Sequence, residues 1–214
     1  MRTAIKQAGM SLISIMVGLV ISMIAILGLT SAYKVVVSST VSAKNASTND
    51  DQLTSALLRA SMSLQDAGYG IVSPVFGTHI VLISGATLSG TTLGGTAVAA
   101  KVTANAIVWA VQKPDVATQC AGLFAAPAGG LISLGPVDCA DATGWSLLAW
   151  PTATVIDAPT TTGEFRSKVS FVAEQSSCKP YGITDTSGTY SISLSTTNSA
   201  GVLVSSLYCL LNFQ

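Results

Sequence analysis

From Met10 to Tyr33 the chain runs for 24 residues without a charge, and no charged side chain lies between Lys6 and Lys34. A helix rises about 1.5 Å per residue, so this run is long enough to cross a hydrocarbon core about 30 Å thick. A short basic stub with Arg2 and Lys6 precedes it and ends in Gly9. A cleaved secretory signal has an apolar stretch of about 7–15 residues with a small-residue cut behind it. Thr30-Ser31-Ala32 imitates such a cut, but the run is too long for that pattern. The better small-residue site lies ahead of the run, at Gly9 after Ala8. The expected order of events is therefore membrane insertion first, by a helix that is kept, and a soluble domain second.

The residues around this site carry a family resemblance. Lys6-Gln7-Ala8-Gly9, then Met10-Ser11-Leu12-Ile13, then Ile15-Met16-Val17-Gly18-Leu19 resemble the class III leader of type IV prepilins. In that family a membrane aspartyl peptidase cuts after the glycine and leaves the apolar helix attached. The resemblance implies cleavage between Gly9 and Met10 and N-methylation of Met10. Further on, Leu57-Leu58-Arg59 through Leu64-Gln65-Asp66-Ala67-Gly68-Tyr69 resembles the close of the amphipathic helix in the PilW group of minor pilins. The likeness covers about residues 1–70. It implies a structural subunit whose partners are other pilins, the prepilin peptidase and the inner-membrane assembly machinery. It also implies a single-pass inner-membrane precursor that ends in an extracellular filament or a periplasmic pseudopilus.

One position departs from the family. The fifth residue after the cut is normally Glu, thought to neutralise a neighbouring subunit's terminal amine, and here it is Ser14. An unpaired charge in a low-dielectric interior is costly, and a positive amine at a helix N-terminus is unfavourable. A hydroxyl can share a hydrogen bond but cannot cancel that charge. Two readings stay open: a place where no pairing is required, such as a filament tip, or a divergent pilin that tolerates the hydroxyl.

Charge excludes some partners. The 214 residues carry 10 basic and 10 acidic side chains, only 9% of the chain. Such a balance gives no electrostatic basis for nucleic-acid contact. Four cysteines, Cys120, Cys139, Cys178 and Cys209, all follow the apolar run. None forms a C-x-x-C pair and His79 is the single histidine, so no zinc site is expected. An even count in an exported domain favours disulfides. Four cysteines allow three pairings; Cys120–Cys139 and Cys178–Cys209 are preferred because both close short loops. Each such loop contributes roughly 3 kcal/mol by the chain-entropy estimate.

No proline occurs before Pro74, so one helix from about Met10 to Ala67 is expected, with Gly18 and Gly28 as weak points. Gly28 followed by Thr30-Ser31 is a place for it to loosen in a filament. Leu53, Leu57, Ala60, Leu64 and Ala67 recur at helical spacing, and Gly68 and Gly70 offer a stop. After Pro74 the pattern turns strand-like, with candidates at 79–84, 105–111, 131–134, 145–150, 168–173, 189–195 and 202–211. Turn clusters separate them at 85–95, 127–130, 158–163 and 184–188. The stretches 85–97 and Thr160-Thr161-Thr162 read as exposed loops. The expected fold is α+β and pilin-like: a long N-terminal helix, apolar then amphipathic, packed on an antiparallel sheet domain. The organisation is a leader at 1–9, a transmembrane or filament-core half at 10–33, an amphipathic half at 34–70 and a β-rich domain at 71–214.

No catalytic pattern emerges. There is no G-x-S-x-G, H-E-x-x-H or phosphate-binding glycine loop, and no cofactor or enzyme activity is expected. His79 at a strand start reads as structural. Asp138, Asp141 and Asp185 read as turn residues before they read as calcium ligands. Asn45-Ala46-Ser47 matches a glycosylation acceptor, a pattern common by chance. Trp109, Trp145 and Trp150 are expected in the core. Two alternatives accompany the minor-pilin reading: a type II secretion pseudopilin, and a membrane-anchored adhesin or binding domain that never enters a filament.

Overall fold

The computed structural model describes residues 12–151, 154–157, 168–179 and 187–214. Gly9, Met10, the leader, Thr160-Thr161-Thr162 and Asp185 lie outside them. The helix α1 spans Leu12–Gln65, 54 residues without a break. Among the described residues nine strands follow: β1 Ile80–Ser89, β2 Thr92–Val98, β3 Ala106–Val111, β4 Gln119–Ala125, β5 Leu131–Asp138, β6 Thr154–Asp157, β7 Ser170–Cys178, β8 Gly188–Thr197 and β9 Leu203–Leu210. The fold class is the α+β layout expected, with all paired strands antiparallel.

Two compact units divide the chain, residues 1–46 and 47–214. In the second, α1 contributes the stripe read from its periodicity: Leu53, Leu57, Ala60 and Leu64 are buried, joined by Ala56 and Ser61. Burial begins only at Leu53, so the packed part of α1 is shorter than the amphipathic half expected from Lys34 onward. This stripe meets two sheets where one was expected. Six strands pair in the order β2-β1-β3-β4-β5-β6, and three in the order β7-β8-β9. Alternation sorts the large sheet's side chains between two cores. Ile80 and Leu82 of β1, Ile107 and Trp109 of β3 and Leu123 of β4 join the helix stripe, together with Phe171, Ile192 and Leu194 of the small sheet. Val81, Ile83, Ala106, Val108, Ala110 and Phe124 point the other way. There they are covered by Ala142, Trp145 and Trp150. A sheet buried on both faces needs near-continuous apolar strands, and Ile80–Ile83 and Ala106–Val111 supply them.

Three readings need correction. Residues 145–150 are not a strand: a 3₁₀ turn occupies Ala142–Ser146. Trp145 and Trp150 are spaced to lie over the sheet face, and the Trp150 indole donates to the Trp145 carbonyl at 3.3 Å. Residues 85–97 are not an exposed loop either. Ser89 pairs with Thr92 across Gly90-Thr91, making a tight hairpin in which Leu93 is fully buried. Its glycines answer to geometry, since a Cβ on Gly95 would come within 2.5 Å of Ile83. Strands β2, β4 and β6 were not anticipated. All three tryptophans are buried as expected.

Both preferred disulfides are present, Cys120–Cys139 and Cys178–Cys209. The first ties β4 to the segment leading into the 3₁₀ turn. The second ties β7 to β9 across the small sheet.

The helix stop is built from distant parts. Gly68 takes φ +74 and donates its N–H to the Ala110 carbonyl at 2.9 Å. Gln112 donates to the Tyr69 carbonyl at 2.8 Å. The Asn212 amide donates to the carbonyls of Ala67 at 2.8 Å and Gln65 at 3.3 Å, satisfying acceptors that the helix leaves open. Gly70, at φ +75, passes so close to β3 that a Cβ would sit 1.8 Å from the Gln112 oxygen. Replacing Gly70 with Ala should therefore destabilise the domain by about 2–3 kcal/mol, combining left-handed strain with a backbone collision. Gly144→Ala, where a Cβ meets nothing within 4 Å, should change stability by less than about 0.5 kcal/mol. Denaturant unfolding followed by tryptophan fluorescence separates the two.

Candidate functional site: the exposed apolar helix

The part of α1 before the β domain, uncharged as far as Tyr33, is exposed throughout: no residue from 12 to 45 is buried. Leu12, Leu27 and Leu29 are 70–74% exposed. By length and composition this is a helix able to cross a membrane. A helix in hydrocarbon must satisfy its own polar groups. Two hydroxyls within the apolar run do so: Ser22 Oγ donates to the Gly18 carbonyl at 2.9 Å and Thr30 Oγ1 to the Ile26 carbonyl at 2.8 Å. Tyr33 and Lys34 close the run with an aromatic ring and the first charge, the residue types favoured at a membrane–water boundary.

Small residues lie along one face of this segment. Ser14, Gly18, Ser22, Ala25, Gly28 and Ala32 follow at spacings of four, four, three, three and four, a single stripe on a helix. A Cβ on Gly18 or Gly28 would meet nothing within 4 Å, so the stripe is open to an approaching helix. Small residues let backbones come close, which is how helices associate where there is no hydrophobic effect between them. Ser14, read from the sequence only as a departure, thus takes a place in this stripe. Gly9 and Met10 lie outside the described residues, so their relation to Ser14 is not part of the geometry.

The other candidate residues have structural duties. His79 Nδ1 accepts the Val75 N–H at 2.9 Å inside the turn ahead of β1. Asp138 accepts from the Gln119 amide at 3.2 Å. Asp141 caps the 3₁₀ turn, accepting from the Thr143 hydroxyl and from the Thr143 N–H. Asn45 is exposed on α1. No group of three or more His, Cys, Asp or Glu residues close enough for a metal ion occurs among the described residues. A surface recess of about 580 Å³ lies between Tyr69, Val72 and the β3–β4 connection, with no nucleophile or paired carboxylates converging on it. Sequence reasoning missed one polar contact, the Asp50 carboxylate, which accepts from Ser199 N–H at 3.0 Å and Ser199 Oγ at 2.9 Å. Its partner lies 149 positions away, beyond the reach of any local pattern.

No protein-family model, curated protein or solved structure matches the chain.

Two measurements probe these assignments. An acidic residue at the centre of the apolar run, Ile21→Asp, should oppose membrane insertion by about 2.5–3.5 kcal/mol, seen as a shift of the protein out of the carbonate-resistant membrane fraction. The Thr143 hydroxyl, then the Thr143 N–H, hold the Asp141 carboxyl below its ordinary value. A depressed value stabilises the fold above the unfolded-state pKa and is lost as pH falls through the folded one. The stability difference between the parent and Asp141→Ala, about 1 kcal/mol at neutral pH, should stay constant down to roughly pH 4 and shrink as pH falls further. Thermal unfolding across pH measures it.

Proposed function

We propose that the chain is a type IV minor pilin of the PilW kind, a structural subunit for pilus assembly or initiation. One observation carries the reading: a single helix joins an exposed apolar half to a second half held by a disulfide-stapled antiparallel domain. The leader residues Lys6–Gly9 support it from the sequence side. The precursor enters the inner membrane by its apolar helix, with Arg2 and Lys6 on the cytoplasmic side. The prepilin peptidase removes residues 1–9 and Met10 is methylated. The assembly machinery then lifts the subunit, and its helix exchanges lipid for neighbouring helices. The stripe through Gly18, Ser22, Ala25 and Gly28 is the surface that permits close approach. The β domain stays outside, where it primes assembly, meets partner pilins or contributes to adhesion, motility or DNA uptake.

Ser14 fits this reading as a subunit that does not need to neutralise a neighbour's amine, as at a filament tip. Co-expression with a prepilin peptidase tests the assignment. Intact-mass and N-terminal analysis should show loss of residues 1–9 and a new terminus at Met10. A terminus that stays at Met1 points instead to the anchored adhesin, and one near Tyr33 to an ordinary cleaved signal; either removes the pilin reading. Deletion of the gene distinguishes pilus from pseudopilus, by loss of surface pili or of protein secretion.

A further inference from the structure

We propose that Val35–Ser42 is an unwinding point built into α1, where the helix opens in water while both its neighbours stay folded. This does not depend on the pilin reading and applies equally to a permanent anchor.

The segment reads Val35-Val36-Val37-Ser38-Ser39-Thr40-Val41-Ser42, eight residues that are all β-branched or hydroxylic. Each is a poorer helix former than alanine. The β-branched ones lose χ1 freedom, and the hydroxyls offer backbone groups a competing partner. That competition is visible: Ser39 Oγ and Thr40 Oγ1 both donate to the Val36 carbonyl, at 2.9 and 2.8 Å. Such back-bonding weakens and bends helices. Nothing offsets these costs through packing, because Val35, Val36, Val37 and Val41 are 40–67% exposed. Most helical stability in proteins comes from packing of an apolar face, so a helix without it is marginal in water.

The flanks set the limits of opening. On one side lies the apolar run ending at Tyr33. Freed N–H and C=O groups there find no water in hydrocarbon. Gly28, a poor helix former, is therefore not the place where the anchored chain opens. On the other side, Asp50 holds Ser199 through two hydrogen bonds, and burial begins at Leu53. Between them is a stretch with weak propensity, no burial and access to water. Opening it lengthens eight residues from about 12 Å to about 26 Å, which gives the β domain slack without disturbing the anchor.

Peptide-resolved hydrogen–deuterium exchange on the full-length monomer in detergent micelles tests this. Amides of residues 35–42 should show protection factors at least about tenfold below those of 54–64, the packed part of the same helix. A difference smaller than tenfold overturns the proposal. A helix-strengthened variant, Val35→Ala/Val37→Ala/Ser38→Ala/Ser39→Ala/Thr40→Ala/Val41→Ala, changes only exposed positions. It should raise protection of this stretch by at least about tenfold and leave 54–64 unchanged. Unaltered protection in that variant shows that the side chains are not the cause, and also overturns the proposal.

Discussion

The β domain depends on one stripe of side chains. Leu53, Leu57, Ala60 and Leu64 share a core with residues from both sheets, so the helix is the common neighbour of two layers that have few ties of their own. The backbone link to β7 comes from the segment between β2 and β3: Phe171 exchanges hydrogen bonds with Ala104 at 2.9 Å, and Lys101 N–H donates to the Ala173 carbonyl at 2.7 Å. Remove the stripe, and the small sheet has lost the surface against which Phe171, Ile192 and Leu194 are buried. Ala60 at the centre lets the sheets approach, while the leucines around it fill the space. Further polar ties reinforce the arrangement, including the Tyr208 hydroxyl on the Leu57 carbonyl at 3.4 Å.

The far side of the large sheet solves a different problem. Among the described residues no α-helix covers it. Instead Trp145 and Trp150, carried by a short 3₁₀ turn and an extended segment, spread over Val81, Ile83 and Val108. A segment with so little regular structure loses considerable conformational entropy when fixed. The Cys120–Cys139 bond and the Asp141 cap hold its start in place. The disulfide is thus best understood as part of the cover, anchoring an irregular segment to a strand that lies beneath it.

What could be read in advance follows from the range of the forces involved. The stripe in α1 repeats with the helical period, and Gly68 marks its end, so both were legible. β8 alternates cleanly and was legible too. β4, Gln-Cys-Ala-Gly-Leu-Phe-Ala, carries alanine and glycine where a strand usually shows branched residues, because Gly122 faces the backbone of β3 closely: a Cβ there would lie 2.9 Å from the Ile107 oxygen. Such a strand is chosen for fit, and fit does not show as periodicity. The misread stretch at Trp145–Trp150 has the aromatic content of a strand, but its purpose is coverage. In the apolar helix nothing in the sequence marks where the hydroxyls of Ser22 and Thr30 turn. Only the geometry shows each of them spending its proton on the turn below.

The Asn212 cap has a consequence for the order of events. The carbonyls it closes belong to Gln65 and Ala67, and the sequence separations are 147 and 145 residues. Phe213 packs under the same turn, 2.9 Å from where a Cβ on Gly68 would be. The end of the helix is therefore finished by residues made long after the helix itself. A chain emerging stepwise holds its first element incomplete until the whole sheet assembly has been delivered. This couples completion of the cap to synthesis of both sheets, and leaves a partly made β domain without a closed helix end on which to settle.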